Sequence, residues 1–295
     1  MKGNGIFSAL IGVFDAEGRP DPEGIRRVVR HNIDTCGVDG LYVCGSTGEN
    51  FLLPVEYKKT ILKEAAAAAN HDVTMIAHIG TNVIEELDEL CDTAAEAGYD
   101  FVSAVTPYYY KFSAQEIRDY YLHIADRSSL PLIIYNIPLL TSVALSREDF
   151  KVLFAHKNIA GVKFTAQDFY LLERIRGLYP DKLIYSGFDE TLLSAAVLNT
   201  NGAIGSTYNI IGHWAKALFT AVQKKDLDTA RTIQGNMNNV IDMLLSAGIY
   251  PTLKEVLALQ GVPCGSCRAP MSKASDAQKA AAAEIAAFIS KVDGE

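Results

Sequence analysis

The chain has few cysteines and no long hydrophobic run, and each shortage argues against a class of protein. Five cysteines in 295 residues form an odd, scattered set rather than a disulfide framework, which favours a reducing cytoplasm. The longest apolar stretches have about ten residues, roughly half of what a helix needs to span a bilayer. We therefore predict a cytoplasmic protein that does not interact with a membrane.

Basic residues are also in short supply. The chain has 35 Asp and Glu against 27 Lys and Arg, so its formal net charge is −8, and no run of basic residues is longer than a pair. Nucleic-acid binders need clustered positive charge to follow a phosphate backbone, so we expect no nucleic-acid partner. The share of hydrophobic residues, 49%, is that of a globular protein with a sizeable core and excludes intrinsic disorder.

Eight short apolar runs recur along the first 210 residues, each bounded by Gly, Pro, Asp or Asn. They occupy residues 5–14, 40–46, 74–80, 101–107, 132–137, 159–165, 182–188 and 202–206. Their continuous apolar character is typical of strands that are covered on both faces. The first run follows Met1-Lys2 as a signal-peptide core would, but a single lysine is a thin basic region and Asp15 follows at once. We interpret it as the first strand.

Segments with helical periodicity separate these runs. They lie at about 22–34, 54–69, 83–97, 114–127, 146–155, 168–178, 189–198 and 210–223, and further helices follow at 226–247, 251–260 and 276–291. Eight strand-then-helix units predict an α/β fold, a (β/α)8 barrel over residues 1–224, with a helical appendage over 225–295 packed on it. An open, doubly wound sheet is the rival, but no Gly-rich nucleotide fingerprint supports it.

Polar residues fall at the predicted carboxyl ends of several strands, where barrel enzymes place their chemistry. The second strand is followed by Ser46 and Thr47, and the fifth ends near Tyr135. The last three strands contribute the remaining candidates, which are Lys163, Thr165, Gly187, Asp189, Glu190 and Ser206. We expect these side chains to meet at one mouth of the barrel.

Lys163 lies within an otherwise apolar strand, Ile159-Ala-Gly-Val-Lys-Phe-Thr165. Burial of an ammonium group is costly and lowers its pKa, and a neutral amine is what a Schiff base with a ketone requires. The alternative is a lysine at a strand end that extends to water, which is how we interpret Lys182. The position favours the catalytic interpretation.

The other candidates each have a structural alternative. Tyr135 could transfer protons or could be a core tyrosine with a satisfied hydroxyl. The turn at Ser46 and Thr47 offers hydroxyls and backbone N–H groups for a carboxylate, or it is a plain connection between a strand and a helix. Asp189 and Glu190 could bind sugar hydroxyls, or could place negative charge at a helix N-terminus.

Other signals point to structure rather than to chemistry. Cys264 and Cys267 have redox spacing but lie in a Pro/Gly-rich loop, and the six histidines have no metal-ligand spacing, so we predict no metal site. His78, within the third strand, is interpreted as a structural core residue. The run Tyr108-Tyr109-Tyr110 is either packing at the barrel mouth or an exposed aromatic patch of the kind that contacts another subunit.

Four motifs, in this order and spacing, resemble the dihydrodipicolinate synthase and N-acetylneuraminate lyase family. They are Gly45-Ser-Thr-Gly-Glu49, Val105-Thr-Pro-Tyr-Tyr109, Tyr135-Asn-Ile-Pro138 and Gly161-Val-Lys163. The resemblance covers essentially the whole chain, including Cys267-Arg268-x-Pro270. It implies a barrel with a helical C-terminal region, a homotetramer, and pyruvate bound as a Schiff base, with no metal or organic cofactor.

The resemblance also implies roles for the candidates. Lys163 would be the Schiff-base lysine, Tyr135 the proton-transfer phenol, and Ser46 and Thr47 the carboxylate cradle, with Ser46 also in the proton relay. Tyr109 would enter the site of a neighbouring subunit. The sugar-derived half of the substrate would be contacted by Thr165, Gly187, Asp189, Glu190 and Ser206.

Segments 187–190 and 205–209 are most similar to the lyase branch, whose substrates are a sialic acid or, in reverse, pyruvate and N-acetylmannosamine. Two departures affect sugar preference: Phe188 stands where lyases often have tyrosine, and Tyr250 where some have phenylalanine. The rivals are a synthase that condenses pyruvate with aspartate semialdehyde and a catalytically silent keto-acid sensor.

Overall fold

A computed structural model describes residues 3–294, and these form a closed barrel of eight parallel strands in sequence order, β1-β2-β3-β4-β5-β6-β7-β8. The eighth strand pairs with the first through the register Phe7↔Ile204, which closes the barrel. The strands are β1 (Gly5–Ala9), β2 (Gly40–Val43), β3 (Thr74–His78), β4 (Phe101–Val105), β5 (Leu132–Asn136), β6 (Ile159–Phe164), β7 (Leu183–Ser186) and β8 (Gly202–Gly205). The predicted α/β barrel is confirmed.

Each strand is followed by at least one helix, and three helices extend the chain beyond the barrel. The helices that alternate with the strands are α1 (Pro22–Arg30), α2 (Val55–Ala69), α3 (Ile84–Glu96), α4 (Ala114–Arg127), α5 (Pro138–Thr141), α6 (Arg147–Phe154), α7 (Phe169–Leu178), α8 (Leu192–Val197) and α9 (Tyr208–Gln223). The helices of the C-terminal region are α10 (Leu227–Ala247), α11 (Ile249–Leu259) and α12 (Asp276–Asp293).

Local sequence signals account for several helix ends. Ser113 and Glu116 form a reciprocal capping box at the start of α4, as Ser146 and Asp149 do at the start of α6. Gly98 follows α3 with φ +81, a left-handed conformation that costs glycine little and ends the helix. These boundaries agree with the sequence patterns.

The structure differs from the sequence patterns in local detail. All eight predicted strands extend one to five residues past their observed carboxyl ends, because most of the residues that follow the strands are buried as well. A π-turn, His31–Thr35, ends the first helix, and a 3-10 turn, Asp189–Thr191, precedes α8. The short helix α5 was not predicted, since four residues after Pro138 are too few to show periodicity. Met1-Lys2, considered above as the basic region of a signal peptide, lies outside the described residues.

Two hydrophobic clusters stabilise the fold. The inner cluster fills the barrel with side chains such as Phe7, Ile133 and Leu183. The outer cluster lies between the strands and the helices and continues without a break into α10 and α11, through residues such as Met237 and Leu253. The predicted C-terminal helices therefore pack on the barrel. The boundary predicted at residues 224 and 225 falls in the turn between α9 and α10, and the division into two units stays a prediction.

Two further observations concern the cysteines and the apolar length of the helices. All five cysteines are free and buried. Among the helices of residues 3–294, none has both the length and the apolar character needed to cross a membrane.

Gly161 tests the close packing of the strands. A Cβ at this position would lie 1.9 Å from the backbone oxygen of Leu183 on the neighbouring strand, so Gly161→Ala requires a backbone shift. We expect the free energy of unfolding, measured by urea denaturation, to fall by about 1–3 kcal/mol. The control is Gly235→Ala in α10, where a Cβ meets nothing within 4 Å, and we expect a gain of about 0.5–1 kcal/mol. A Gly161→Ala variant as stable as the parent would contradict this packing.

Candidate active site

A cavity of about 340 Å³ opens where the carboxyl ends of the strands meet. Nine of the ten sequence-predicted site residues line it together: Ser46, Thr47, Tyr135, Lys163, Thr165, Gly187, Asp189, Glu190 and Ser206. Tyr109 does not line this cavity. Its ring lies on the surface with 87% of its area exposed, and its backbone has φ +75.

Lys163 lies at the centre of the site, between two aromatic rings. The strand register places it directly beside Tyr135, and its Nζ lies 4.1 Å from the centroid of that ring and 4.6 Å from the centroid of Tyr42. Only 5% of the residue is exposed. Burial lowers the pKa of the amine to about 7, and the nearby Asp189 carboxylate opposes this by favouring the ammonium form. Burial thus favours the neutral, nucleophilic amine.

Tyr135 is buried, and burial raises the pKa of its phenol. The Ser46 and Thr165 hydroxyls next to the phenol oppose that rise. The ring makes edge-to-face contacts with Tyr42, at a centroid distance of 5.9 Å, and with His78, at 6.0 Å. The phenol is thus held in one orientation beside the amine.

Ser46 and Thr47 lie on the 3-10 turn Ser46–Gly48 that follows β2. The Thr47 hydroxyl is 2.7 Å from the hydroxyl of Ser206, so the turns after β2 and β8, on either side of β1, are linked at the mouth. Hydroxyls from two segments far apart in the sequence therefore lie on the same wall of the cavity, where they could bind a carboxylate.

Asp189 is buried and fixed by Thr207. Its carboxylate accepts hydrogen bonds from the Thr207 backbone N–H at 2.9 Å and from the Thr207 hydroxyl at 2.7 Å. Burial raises the pKa of Asp189, while these hydrogen bonds and Lys163 oppose the rise. A Cβ at Gly205 would lie 1.9 Å from the carboxylate, so glycine is needed for its approach. Glu190 is half-buried, and burial together with Asp189 raises its pKa.

Thr165 and Gly187 lie side by side in the lining of the cavity. A Cβ at Gly187 would lie 1.7 Å from the Thr165 hydroxyl oxygen, so the glycine makes room for that hydroxyl. The Thr165 hydroxyl oxygen is buried and lies beside the Tyr135 phenol, whose pKa it lowers.

The two positions that depart from the family pattern both line the cavity. Phe188 supplies an apolar ring, and Tyr250, from α11, supplies a phenol whose pKa burial raises to about 12. Tyr250 also lines an adjoining cavity of about 290 Å³, which it shares with Leu140. A phenol is thus present near the site in spite of Phe188.

His78 and Cys264 are both deeply buried. His78 is fully buried, and its Nε2 accepts a hydrogen bond from the Val105 N–H at 3.1 Å. Burial lowers the pKa of His78 to about 3, so its ring is neutral. The Cys264 thiol is buried and its pKa is raised to about 12, which makes it unreactive. Within the described part of the chain, no three His, Cys, Asp or Glu residues are grouped as a metal site would require.

Sequence patterns missed several residues that build this site. Tyr42 contacts the amine and Thr207 holds Asp189, yet both look like ordinary core or turn residues in the sequence. Glu49 and Lys254 of α11 were missed as well, and they form a buried ion pair with 2.6 Å between Nζ and Oε1. The sequence does contain an indication of this pair, because Lys254 lies between Leu253 and Val256 on the apolar face of a helix. A lysine is rarely buried in such a position unless it is paired.

A barrel whose mouth holds a partly neutral, buried lysine beside a phenol has the features of a Schiff-base enzyme. Residues 2–288 match the model of the dihydrodipicolinate synthetase family. The chain belongs to this family.

The similar proteins include lyases of the same length. The chain is 49% identical to the N-acetylneuraminate lyase of Clostridium perfringens over 95% of this chain and 98% of that protein. The structure of CdNal from Clostridium difficile in complex with mannosamine is 46% identical, with a TM-score of 0.95 over 97% and 99% of the two chains. The Fusobacterium nucleatum N-acetylneuraminate lyase complexed with pyruvate is 47% identical, with a TM-score of 0.92 over 96% of each chain.

The electrostatic coupling of Lys163 and Asp189 can be tested without substrate. Trace labelling with acetic anhydride, mapped by mass spectrometry, should show Lys163 reaching half-maximal labelling near pH 7, because only the neutral amine reacts. Since the Asp189 charge raises the pKa of the amine, Asp189→Asn should move this midpoint to lower pH. The control is Asp119→Asn on the exposed face of α4, which should leave it unchanged. A midpoint near 10 in the parent protein, typical of free lysine, would contradict the burial of the amine.

Proposed function

We propose that this chain is a class I aldolase that cleaves N-acetylneuraminate, a sialic acid, reversibly to N-acetyl-D-mannosamine and pyruvate. The observation that carries the proposal is the Lys163 amine, buried beside the Tyr135 phenol with a pKa near neutrality. The relatives support the same activity, since the chain covers nearly the full length of proteins named N-acetylneuraminate lyase. The protein is therefore a carbon–carbon lyase.

The reaction begins with attack of the neutral Lys163 amine on the C2 ketone of the open-chain sugar acid. Loss of water gives an iminium ion, which withdraws electrons from the C3–C4 bond. This protonated imine does the polarising that a metal ion does in other aldolases, so the reaction needs no metal or organic cofactor.

Tyr135 then takes the proton of the C4 hydroxyl, directly or through the substrate carboxylate, as the C3–C4 bond breaks. Its buried phenol favours the neutral form in the free protein. When the iminium forms, the Ser46 hydroxyl passes the phenol proton to the departing hydroxide, so that water leaves and a phenolate remains. The positive iminium nitrogen, formed about 4 Å from the ring, stabilises this phenolate, which accepts the C4 proton and later returns it to C3 of the enamine. Cleavage releases the aldehyde sugar and leaves an enamine, which is protonated at C3 and hydrolysed to pyruvate.

The two halves of the substrate contact different residues of the cavity lining. Ser46 and Thr47 bind the carboxylate through the turn after β2. On the sugar side, Thr165, Gly187, Asp189, Glu190 and Ser206 offer hydroxyls, space and carboxylates for a polyhydroxylated chain. The Asp189 and Glu190 carboxylates support this assignment, because both line the cavity and could accept hydrogen bonds from sugar hydroxyls.

The synthase alternative is disfavoured by the residue at position 140. A synthase must bind the carboxylate of aspartate semialdehyde, and the family resemblance puts an arginine two residues after the Tyr-Asn-x-Pro proline. Here Leu140 takes that place and lines the cavity. A carboxylate facing leucine would lack a partner, which is strongly unfavourable.

The assembly and the compartment extend the same proposal. We infer a homotetramer in the cytoplasm, in which Tyr109 enters the site of a neighbouring subunit. The exposed rings of Tyr109 and Tyr110 and the exposed side chains of Leu139 and Leu140 support an interface near the barrel mouth. Five free cysteines are compatible with a reducing compartment.

The activity predicts a clear preference between two substrates. The protein should release pyruvate from N-acetylneuraminate. Its kcat/KM for condensing aspartate semialdehyde with pyruvate should be about a hundredfold or more below its kcat/KM for this cleavage, because the carboxylate of the semialdehyde lacks a charged partner. Coupled assays for pyruvate release and for condensation, on the same preparation, measure both. Efficient condensation without release of pyruvate would overturn the lyase assignment, and turnover of neither substrate would favour the keto-acid sensor.

Tyr135→Phe tests the proton-transfer role. The variant should fold and still form an imine with pyruvate, while kcat for N-acetylneuraminate cleavage falls by about 10²–10⁴-fold. Steady-state kinetics and borohydride trapping with pyruvate measure the two steps separately. A loss of less than about tenfold would make Tyr135 a packing residue.

A further inference from the structure

A buried ion pair lies directly behind the proposed carboxylate cradle. The side chains of Lys254 and Glu49 are 2% and 0% exposed, and Nζ lies 2.6 Å from Oε1. A buried pair adds little net stability, because loss of hydration offsets most of the attraction between the charges. Such a pair is therefore a candidate for fixing geometry rather than for holding the fold together.

The pair joins three separate segments of the chain. Glu49 follows the turn after β2, and its second carboxylate oxygen accepts a hydrogen bond from the Arg268 backbone N–H at 2.7 Å. Lys254 belongs to α11 and donates a hydrogen bond to the Ser266 carbonyl at 3.0 Å. Tyr250, one turn earlier on α11, lines the cavity. The C-terminal region is thereby attached to the active-site turn.

The backbone at Glu49 needs this support. The residue has φ +59 and ψ +27, a left-handed conformation that is unfavourable for a residue with a side chain. Its N–H donates to the Ser46 carbonyl at 3.0 Å, which closes the 3-10 turn that carries Ser46 and Thr47. The orientation of those two hydroxyls therefore depends on the conformation of Glu49.

We propose that the Glu49–Lys254 pair is a positioning device that sets the carboxylate cradle of Ser46 and Thr47. The proposal rests on the proposed function, since it concerns binding of the pyruvate carboxylate. Loss of the pair would weaken recognition of the carboxylate while leaving the Lys163 amine intact. Neither residue of the pair lines the cavity that holds Lys163.

The test uses Glu49→Gln combined with Lys254→Met, which removes both charges and leaves neither buried alone. Borohydride trapping at Lys163, mapped by mass spectrometry, is measured with pyruvate and with acetaldehyde, a carbonyl compound that lacks a carboxylate. The pyruvate concentration for half-maximal trapping should rise by about tenfold or more, the loss expected for a hydrogen bond to a charged group. Acetaldehyde trapping should stay unchanged.

Two further variants keep the result interpretable. Glu49→Asp retains both charges but shortens the side chain. It should show a smaller loss of pyruvate trapping, with acetaldehyde trapping unchanged, and it replaces the double variant if that variant does not fold. The matched control is Arg118→Met with Asp149→Asn, a less buried ion pair between α4 and α6, with 2.8 Å between Nη1 and Oδ1. It should leave both trapping reactions unchanged.

The possible outcomes separate the two proposals. Unchanged pyruvate trapping in the Glu49 variants, or an equal loss with pyruvate and acetaldehyde, would overturn the positioning role alone. Absence of a pyruvate adduct at Lys163 in the parent protein would instead overturn the proposed function, and the positioning role with it.

Discussion

The burial of one amine is the constraint on which the rest of the site depends. Lys163 lies on a barrel strand where an ammonium ion is poorly solvated, and its pKa falls to about 7. The aromatic rings of Tyr42 and Tyr135 surround it without offering a full counter-charge, and the Asp189 carboxylate limits the fall in pKa. Burial therefore favours the neutral amine that can attack a ketone.

The closed barrel makes this environment possible. Parallel strands in sequence order bring the ends of β2, β5, β6, β7 and β8 to one mouth, so residues more than a hundred positions apart share a cavity of about 340 Å³. Glycines at close approaches provide the space: Gly187 admits the Thr165 hydroxyl, and Gly205 admits the Asp189 carboxylate. The C-terminal helices complete the wall through Tyr250 and reach the cradle through Lys254.

Much of this arrangement could be predicted from the sequence, because its signals are local. Continuous apolar runs predicted all eight strands, and a lysine within one of them marked the amine. The contacts that refine the site could not be predicted, since they join distant segments. The hydrogen bonds from Thr207 to Asp189 depend on barrel closure. The contact between Glu49 and Lys254 depends on how the C-terminal region packs. Helix α5 was not predicted because it is too short to show a helical period. The role of Tyr109 stays a prediction because it concerns a second subunit.

The most direct measurement is a crystal structure of the protein soaked with pyruvate. We expect continuous electron density from the Lys163 Nζ to the C2 atom of pyruvate, with the carboxylate bound at Ser46 and Thr47 and the methyl carbon facing Asp189. Pyruvate bound without a covalent link to Lys163, or linked to a different lysine, would contradict the assignment of the buried amine as the reactive group.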